Sequence, residues 1–296
     1  MRTIIKLSIL PALILASASL AFADGYVVYS NLPNPLPGNV ASMAYEATST
    51  TQFGGLIQLK GGQSSNSLVT ATVAMSNWAY LSAALRGGGT WADYVNGTTI
   101  TSNGFYVPLT LNFYNVNADN SVGTKIGSST LNNAFIPWRP EGGGCPDTTA
   151  YLASDGNCFH GSLSKVTFDV TGITVPNEVI FGLAMNTTDY GFPKTGVLGP
   201  YNSLNIGLFA GAPSVGGNPS PDAAYVQSTW SGAYNNDPNA NLGVFSQNAG
   251  WTDYQPGIEI TATPEPSSMF LLGTGLLGLA LFAFRKAKPA GLVLHS

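Results

Sequence analysis

The chain predicts an all-β fold, an antiparallel β-sandwich of jelly-roll-like form, and three features predict it. Apolar residues recur with period two or in short runs. Turn residues separate those runs, and no helical period is sustained through the body of the chain. Thirty-five glycines, with frequent Asn, Ser and Thr, supply the turns that many short strands require.

Strands are expected in order at 26–30, 55–59, 68–75, 104–115, 125–129, 164–170, 178–185, 205–209 and 257–262. In the third, Val69, Ala71, Val73 and Met75 alternate with Thr70, Thr72 and Ala74, so the first set should face the core and the second solvent. Val166, Phe168 and Val170 alternate in the same way with Thr167 and Asp169. The run 180–185 is apolar on both faces and suits a sandwich interior. Gly87-Gly88-Gly89, Gly142-Gly143-Gly144 and 211–221 read as loops; no convincing linker splits the domain, and the last is the best place to look for one. One short helix is expected at 78–86.

The N-terminus reads as a secretory signal. Arg2 and Lys6 precede a stretch from Leu7 to Leu20 that is apolar apart from three serines, and Ala21-Phe22-Ala23 gives the small-x-small pattern of a cleavage site. Cleavage after Ala23 by signal peptidase, following the export machinery, makes 1–23 the signal and Asp24 the first mature residue. Near the other end, the sixteen residues from Met269 to Phe284 are largely apolar. They would span about 24 Å as a helix, short of a hydrocarbon core of about 30 Å but enough for a thin inner membrane with Ser267 and Ser268 added. A transmembrane helix is therefore expected at 269–284. Arg285, Lys286 and Lys288 act as its membrane stop, and 289–296 forms a cytoplasmic tail. Both ends place the body of the chain outside the cytoplasm.

Between the body and that helix stand Pro264, Glu265 and Pro266. The prolines lack N–H donors and favour an extended backbone that a processing enzyme can grip. Triplet, short Gly- and Leu-rich helix and basic stop, over 263–288, resemble the PEP-CTERM sorting signal. The resemblance implies an exported bacterial protein, processed by a membrane enzyme of the exosortase type and released to the cell surface or matrix. It also implies a setting of exopolysaccharide production. The tail 289–296 runs past the point where such signals usually stop. Elsewhere Ile136-Pro137-Trp138-Arg139-Pro140, Val175-Pro176-Asn177-Glu178-Val179-Ile180, Gly199-Pro200-Tyr201-Asn202-Ser203-Leu204-Asn205 and Gly250-Trp251-Thr252-Asp253-Tyr254-Gln255-Pro256 resemble blocks of uncharacterised bacterial surface proteins, which implies no particular activity.

The exported domain, 24–262, carries six basic residues against fourteen acids, a net formal charge of −8. Nucleic acid is thereby disfavoured as a partner. The two cysteines, Cys145 and Cys158, have twelve residues between them, and in an oxidising compartment they read as a disulfide.

Enzyme signatures are few. A Ser-His-Asp triad would have to use His160, the one exported histidine, and no G-x-S-x-G elbow accompanies it. A polysaccharide hydrolase needs two facing carboxylates, and Glu141, Asp147, Asp155, Glu178, Asp189, Asp253 and Glu259 are formally available. No catalytic residue is assigned. Five tryptophans and thirteen tyrosines suggest the alternative of glycan binding, in which an exposed ring stacks on a sugar. Trp91, Trp230 and Trp251 stand among turn residues and are the candidates, whereas Trp78 and Trp138 read as core. No cofactor is expected unless Asp147, Asp155 and Asn157 hold Ca²⁺, for which turn capping is the competing use. Two classes thus stand: a structural or glycan-binding surface protein, and a polysaccharide hydrolase.

Overall fold

The computed structural model describes residues 25–45, 48, 50–62, 64–79, 101–185, 204–228, 242–263 and 266–286. Its strands are β1 (Tyr26–Ser30), β2 (Ser42–Ala44), β3 (Thr50–Gln58), β4 (Asn66–Asn77), β5 (Gly104–Val116) and β6 (Val122–Pro137). There follow β7 (Tyr151–Leu152), β8 (Cys158–Phe159), β9 (Ser162–Asp169), β10 (Thr174–Val175) and β11 (Glu178–Ala184). The rest are β12 (Leu204–Ala210), β13 (Ala223–Ser228), β14 (Ser246–Ala249), β15 (Tyr254–Pro256) and β16 (Ile258–Ala262). The fold is all-β, and its sheets are antiparallel.

One sheet runs β1-β16-β4-β12-β15, with β9 and β10 also on β4 and β2 on β12. Here β4 is the spine. Val73 lies opposite Val166 on one side and Ile258 on the other, and all three are buried. The neighbouring row is Thr167, Thr72 and Glu259. Thr72 and Thr167 join hydroxyls at 2.9 Å there, an outward-facing cross-strand pair. Period two in the sequence is thus period two across three strands. Ala74 departs from it, being buried where solvent was expected. Its amide donates to Gly257 O at 3.0 Å, which carries the β4–β16 ladder one position further.

The other sheet is β14-β13-β3-β11-β5-β6. In it Leu183 lies between Phe53 and Leu111, and Gly182 between Gly54 and Asn112. A Cβ at Gly54 would run into the Phe181 carbonyl, so only glycine permits this approach of β3 to β11. Val179, Phe181 and Leu183 enter the main core, while Ile180 packs on the opposite side with Leu56, Tyr225 and Phe245. That second cluster explains the run that is apolar on both faces. The main core draws Val73, Val166, Phe168 and Ile260 from the first sheet and Phe53, Phe113 and Leu183 from the second.

Several expectations are revised. Strand β6 is far longer than 125–129, because its polar residues pair with β5 along an edge where alternation is not needed. β2, β14 and β15 fall in stretches that carry little hydrophobic signal, and β13 holds only the short apolar run Ala223-Ala224-Tyr225-Val226. The stretch 211–221, the best place to look for a linker, is bonded to both sheets. Ser30 and Val215 exchange backbone bonds of 3.0 and 3.2 Å, and Gln58 and Gly217 exchange bonds of 2.9 and 2.8 Å. The loop is thus fastened to β1 of one sheet and β3 of the other. Trp78 and Ala79 are not helical, and the remainder of 78–86 lies outside the described residues. The contacts separate a compact unit, Val27–Ala262, from a second that contains residues 263–296.

The second unit contains α1 (Pro266–Lys286), which begins on a proline where no helical N–H is lost. Leu272, Leu276, Leu279, Leu281 and Phe282 are all exposed, Leu272 at 66%, so apolar side chains are not confined to one buried stripe. Among the described residues no helix is long and apolar enough to cross a membrane, contrary to the transmembrane helix expected at 269–284. The apolar run is sixteen residues, about 24 Å as a helix, which is shorter than a hydrocarbon core of about 30 Å.

Candidate functional site

Four of the candidates, Asp147, Asp155, Asn157 and His160, gather at the loop that the cysteines close. Cys145 and Cys158 are joined by a disulfide with Cα atoms 6.0 Å apart. Within the loop β7 and β8 form a small hairpin, Tyr151 opposite Phe159 and Leu152 opposite Cys158. Gly156, at φ +82°, makes the turn between them. Loop residues also hold segment 36–39: Tyr151 OH donates to Gly38 O at 3.0 Å, and Asp155 Oδ2 accepts from Gly38 N at 2.9 Å.

The acids here serve as turn caps. Asp147 Oδ1 accepts the amide and the hydroxyl of Thr149 at 2.9 and 2.7 Å, and its Oδ2 lies 3.1 Å from His160 Nε2. The Thr149 hydroxyl, then its amide, hold the Asp147 carboxyl below the usual range, with a smaller effect from the His160 charge. Asp155 is lowered by the Gly38 amide first and then the Asn157 amide. Two of the three calcium candidates, Asp147 and Asp155, are thus engaged with protein donors, and the third, Asn157, donates to Asp155. Among the described residues no group of three or more His, Cys, Asp or Glu could hold a metal ion. His160 Nδ1 faces Thr149 Oγ1 at 3.5 Å, but that hydroxyl already donates to Asp147, so the Asp-His pair activates no nucleophile here. Of the other acids, Glu178 accepts from Gln58 and Glu259 from Ser30, and Asp189 lies outside the described residues.

A pH prediction follows for Asp155. Its folded pKa is depressed, so the bond to Gly38 is at full strength above the unfolded value of about 3.9 and is lost as pH falls through the folded value. The NMR shift of the Gly38 amide proton should be flat from pH 7 to about 5 and titrate only below the ordinary Asp range. Asp155→Asn should abolish that titration. A midpoint above the ordinary range would contradict the assignment.

Of the three tryptophans expected to meet sugar, Trp91 and Trp230 lie outside the described residues. Trp251 is half-buried, packs against the main core and donates from Nε1 to Asn248 Oδ1 at 3.0 Å. Gly250, Thr252 and Asp253 all take positive φ around it, a tight turn as its neighbours suggested. Trp138 packs on Phe105 with ring centroids 4.9 Å apart. Trp78 is not core: it is 38% exposed, and its indole lies nearly parallel to the His160 ring, 19° between planes and 6.2 Å between centroids. Sequence reasoning missed this pair because its members are distant in the chain. The β4–β9 register, Asn77 opposite Ser162, brings them together.

At the two ends less is described. Ala21, Ala23, Pro264, Glu265 and Lys288 lie outside the described residues, while Pro266, Arg285 and Lys286 belong to α1. No curated protein and no solved structure matches this chain. A protein-family model does match, over residues 262–286, and the chain therefore carries the PEP-CTERM protein-sorting motif at its C-terminus.

Proposed function

We propose that this is an exported bacterial surface or matrix protein whose non-catalytic β domain is structural or glycan-binding. The observation that carries the reading is the sorting motif at 262–286, which supports export, membrane anchoring before processing, and an exosortase-type enzyme as partner. The disulfide and the net charge of −8 suit an oxidising, extracytoplasmic setting. One core shared by two antiparallel sheets supports a sandwich, jelly-roll-like in outline. The exposed leucines of α1 support its contact with the inner membrane. In this reading 1–23 is removed by signal peptidase, and the chain is cut near Pro264 and released.

Intact-mass analysis of shed protein tests the proposal. The expected species begins at Asp24 and lacks Leu271 to Phe284. Replacing Pro264, Glu265 and Pro266 together by Ala should leave the full-length mature chain in the membrane fraction, with the shed form reduced at least about tenfold. Release of the triple variant at the normal rate would refute processing at the triplet.

A further inference from the structure

Residues next in the chain to those around the exposed aromatic pair line a groove of about 370 Å³, whose walls include Pro37, Gly38, Pro140, Tyr151, Leu152 and Ser162. That volume falls within the range of small-molecule sites. Pair and groove share structure, since Gly38 precedes Asn39 and Gly161 precedes Ser162. A Cβ at Gly161 would press on Trp78 Nε1 and Asn39 Nδ2, at 2.6 Å from each.

The indole is held from several sides. Its Nε1 donates to Ser76 Oγ at 3.2 Å, and Ser76 donates onward to the buried Asn39 Oδ1 at 2.7 Å. Buried Arg139 donates from Nε to the Trp78 carbonyl at 3.0 Å, and His160 is set by Asp147 and Thr149. A ring fixed before any ligand arrives loses little freedom on binding. A fixed surface tryptophan offers an electron-rich apolar face, and the C–H-bearing face of a pyranose ring is its complement. The nearby carboxylates of Asp147 and Asp155 suit hydroxyl donors and oppose anions.

We propose that Trp78 and His160, with the adjoining groove, form a binding site for an uncharged glycan. The inference rests on the glycan-binding reading of the β domain and assigns it a place other than Trp91, Trp230 and Trp251. It also assigns a ligand charge: a domain of net −8 repels acidic polysaccharide.

The test is titration of the full chain in detergent with cellohexaose, chitohexaose and polyanionic alginate. Wild type should bind at least one neutral oligosaccharide and not alginate. Trp78→Ala should weaken binding about tenfold. Trp78→Phe, which keeps a flat ring, should retain most of it. His160→Ala alters an exposed position and should also weaken binding at an unchanged unfolding midpoint, which guards against misfolding of the tryptophan variant. If Trp78→Ala and His160→Ala both bind as wild type while Trp251→Ala does not, the site is elsewhere and the glycan reading survives. If wild type prefers alginate, the charge assignment is overturned. If it binds none of the three, the site and the glycan reading fall together.

Discussion

Phe53→Ala is expected to cost about 3–5 kcal/mol of folding stability, the range for removing a buried aromatic ring. Phe53 sits on β3, fully buried, opposite Leu183 and Val226. Its ring meets Tyr45 edge to face, with centroids 4.8 Å apart and 73° between planes, an arrangement worth about 0.5–1.5 kcal/mol beyond the area it buries. The Tyr45 hydroxyl is itself buried and donates to Leu183 O at 3.0 Å. Loss of the Phe53 ring therefore opens a void and loosens a hydrogen-bonded neighbour at once. Phe53→Leu should recover more than half of the loss, and denaturant melts of the three proteins would measure it. A cost below about 1 kcal/mol for the alanine variant would mean that the core relaxes into the space.

Breaking the disulfide should have the next largest effect, about 3 kcal/mol by the chain-entropy estimate for a loop of this length. Cys145 and Cys158 are 13 positions apart, and between them only Ala150 and Tyr151 are buried, so few contacts inside the loop can compensate. Cys145→Ser with Cys158→Ser should lower the melting temperature. It should also release the bond from Gly38 N to Asp155, because the hairpin that carries Asp155 loses its closure. Reduction of the wild-type protein should reproduce both results. If the melting temperature falls while the Gly38 amide is undisturbed, the bridge stabilises the chain without positioning segment 36–39.

How much of this was legible in the sequence depended on whether the forces involved were local. Val73 and Val166 declared their inward faces through alternation, since side-chain direction along a strand follows from the backbone alone. The two-faced burial of Ile180 was also legible as an apolar run, although its partners Tyr225 and Phe245 were not. β13, which carries Tyr225, sits in a stretch of mixed character that becomes a strand only by pairing with β3. The exposure of Trp78 was misread for a related reason. A tryptophan next to a clean strand looks like core, but the neighbours its indole meets, His160 and Gly161, belong to the bend between β8 and β9, far off in the chain. The sorting motif needed no tertiary information, because its recognition elements are consecutive residues. The acids at Asp147 and Asp155 were legible as turn formers, but the side chain that Asp147 meets, His160, was not.

The loop from Gly211 to Pro221 has a consequence for how the molecule comes apart. Val215 bonds to a strand of one sheet and Gly217, two residues on, bonds to a strand of the other, with Lys60 N donating directly to Val28 O at 2.7 Å alongside. A sequence that looks like a hinge thus works as a clasp. The sheets cannot part by sliding this loop aside, since either one drags the clasp off the other. Opening one sheet must forfeit bonds that belong to both, which is the condition for all-or-none unfolding. A protease cut within the loop would leave two tethered ends, still stitched in place, where a true linker would have yielded two separable halves.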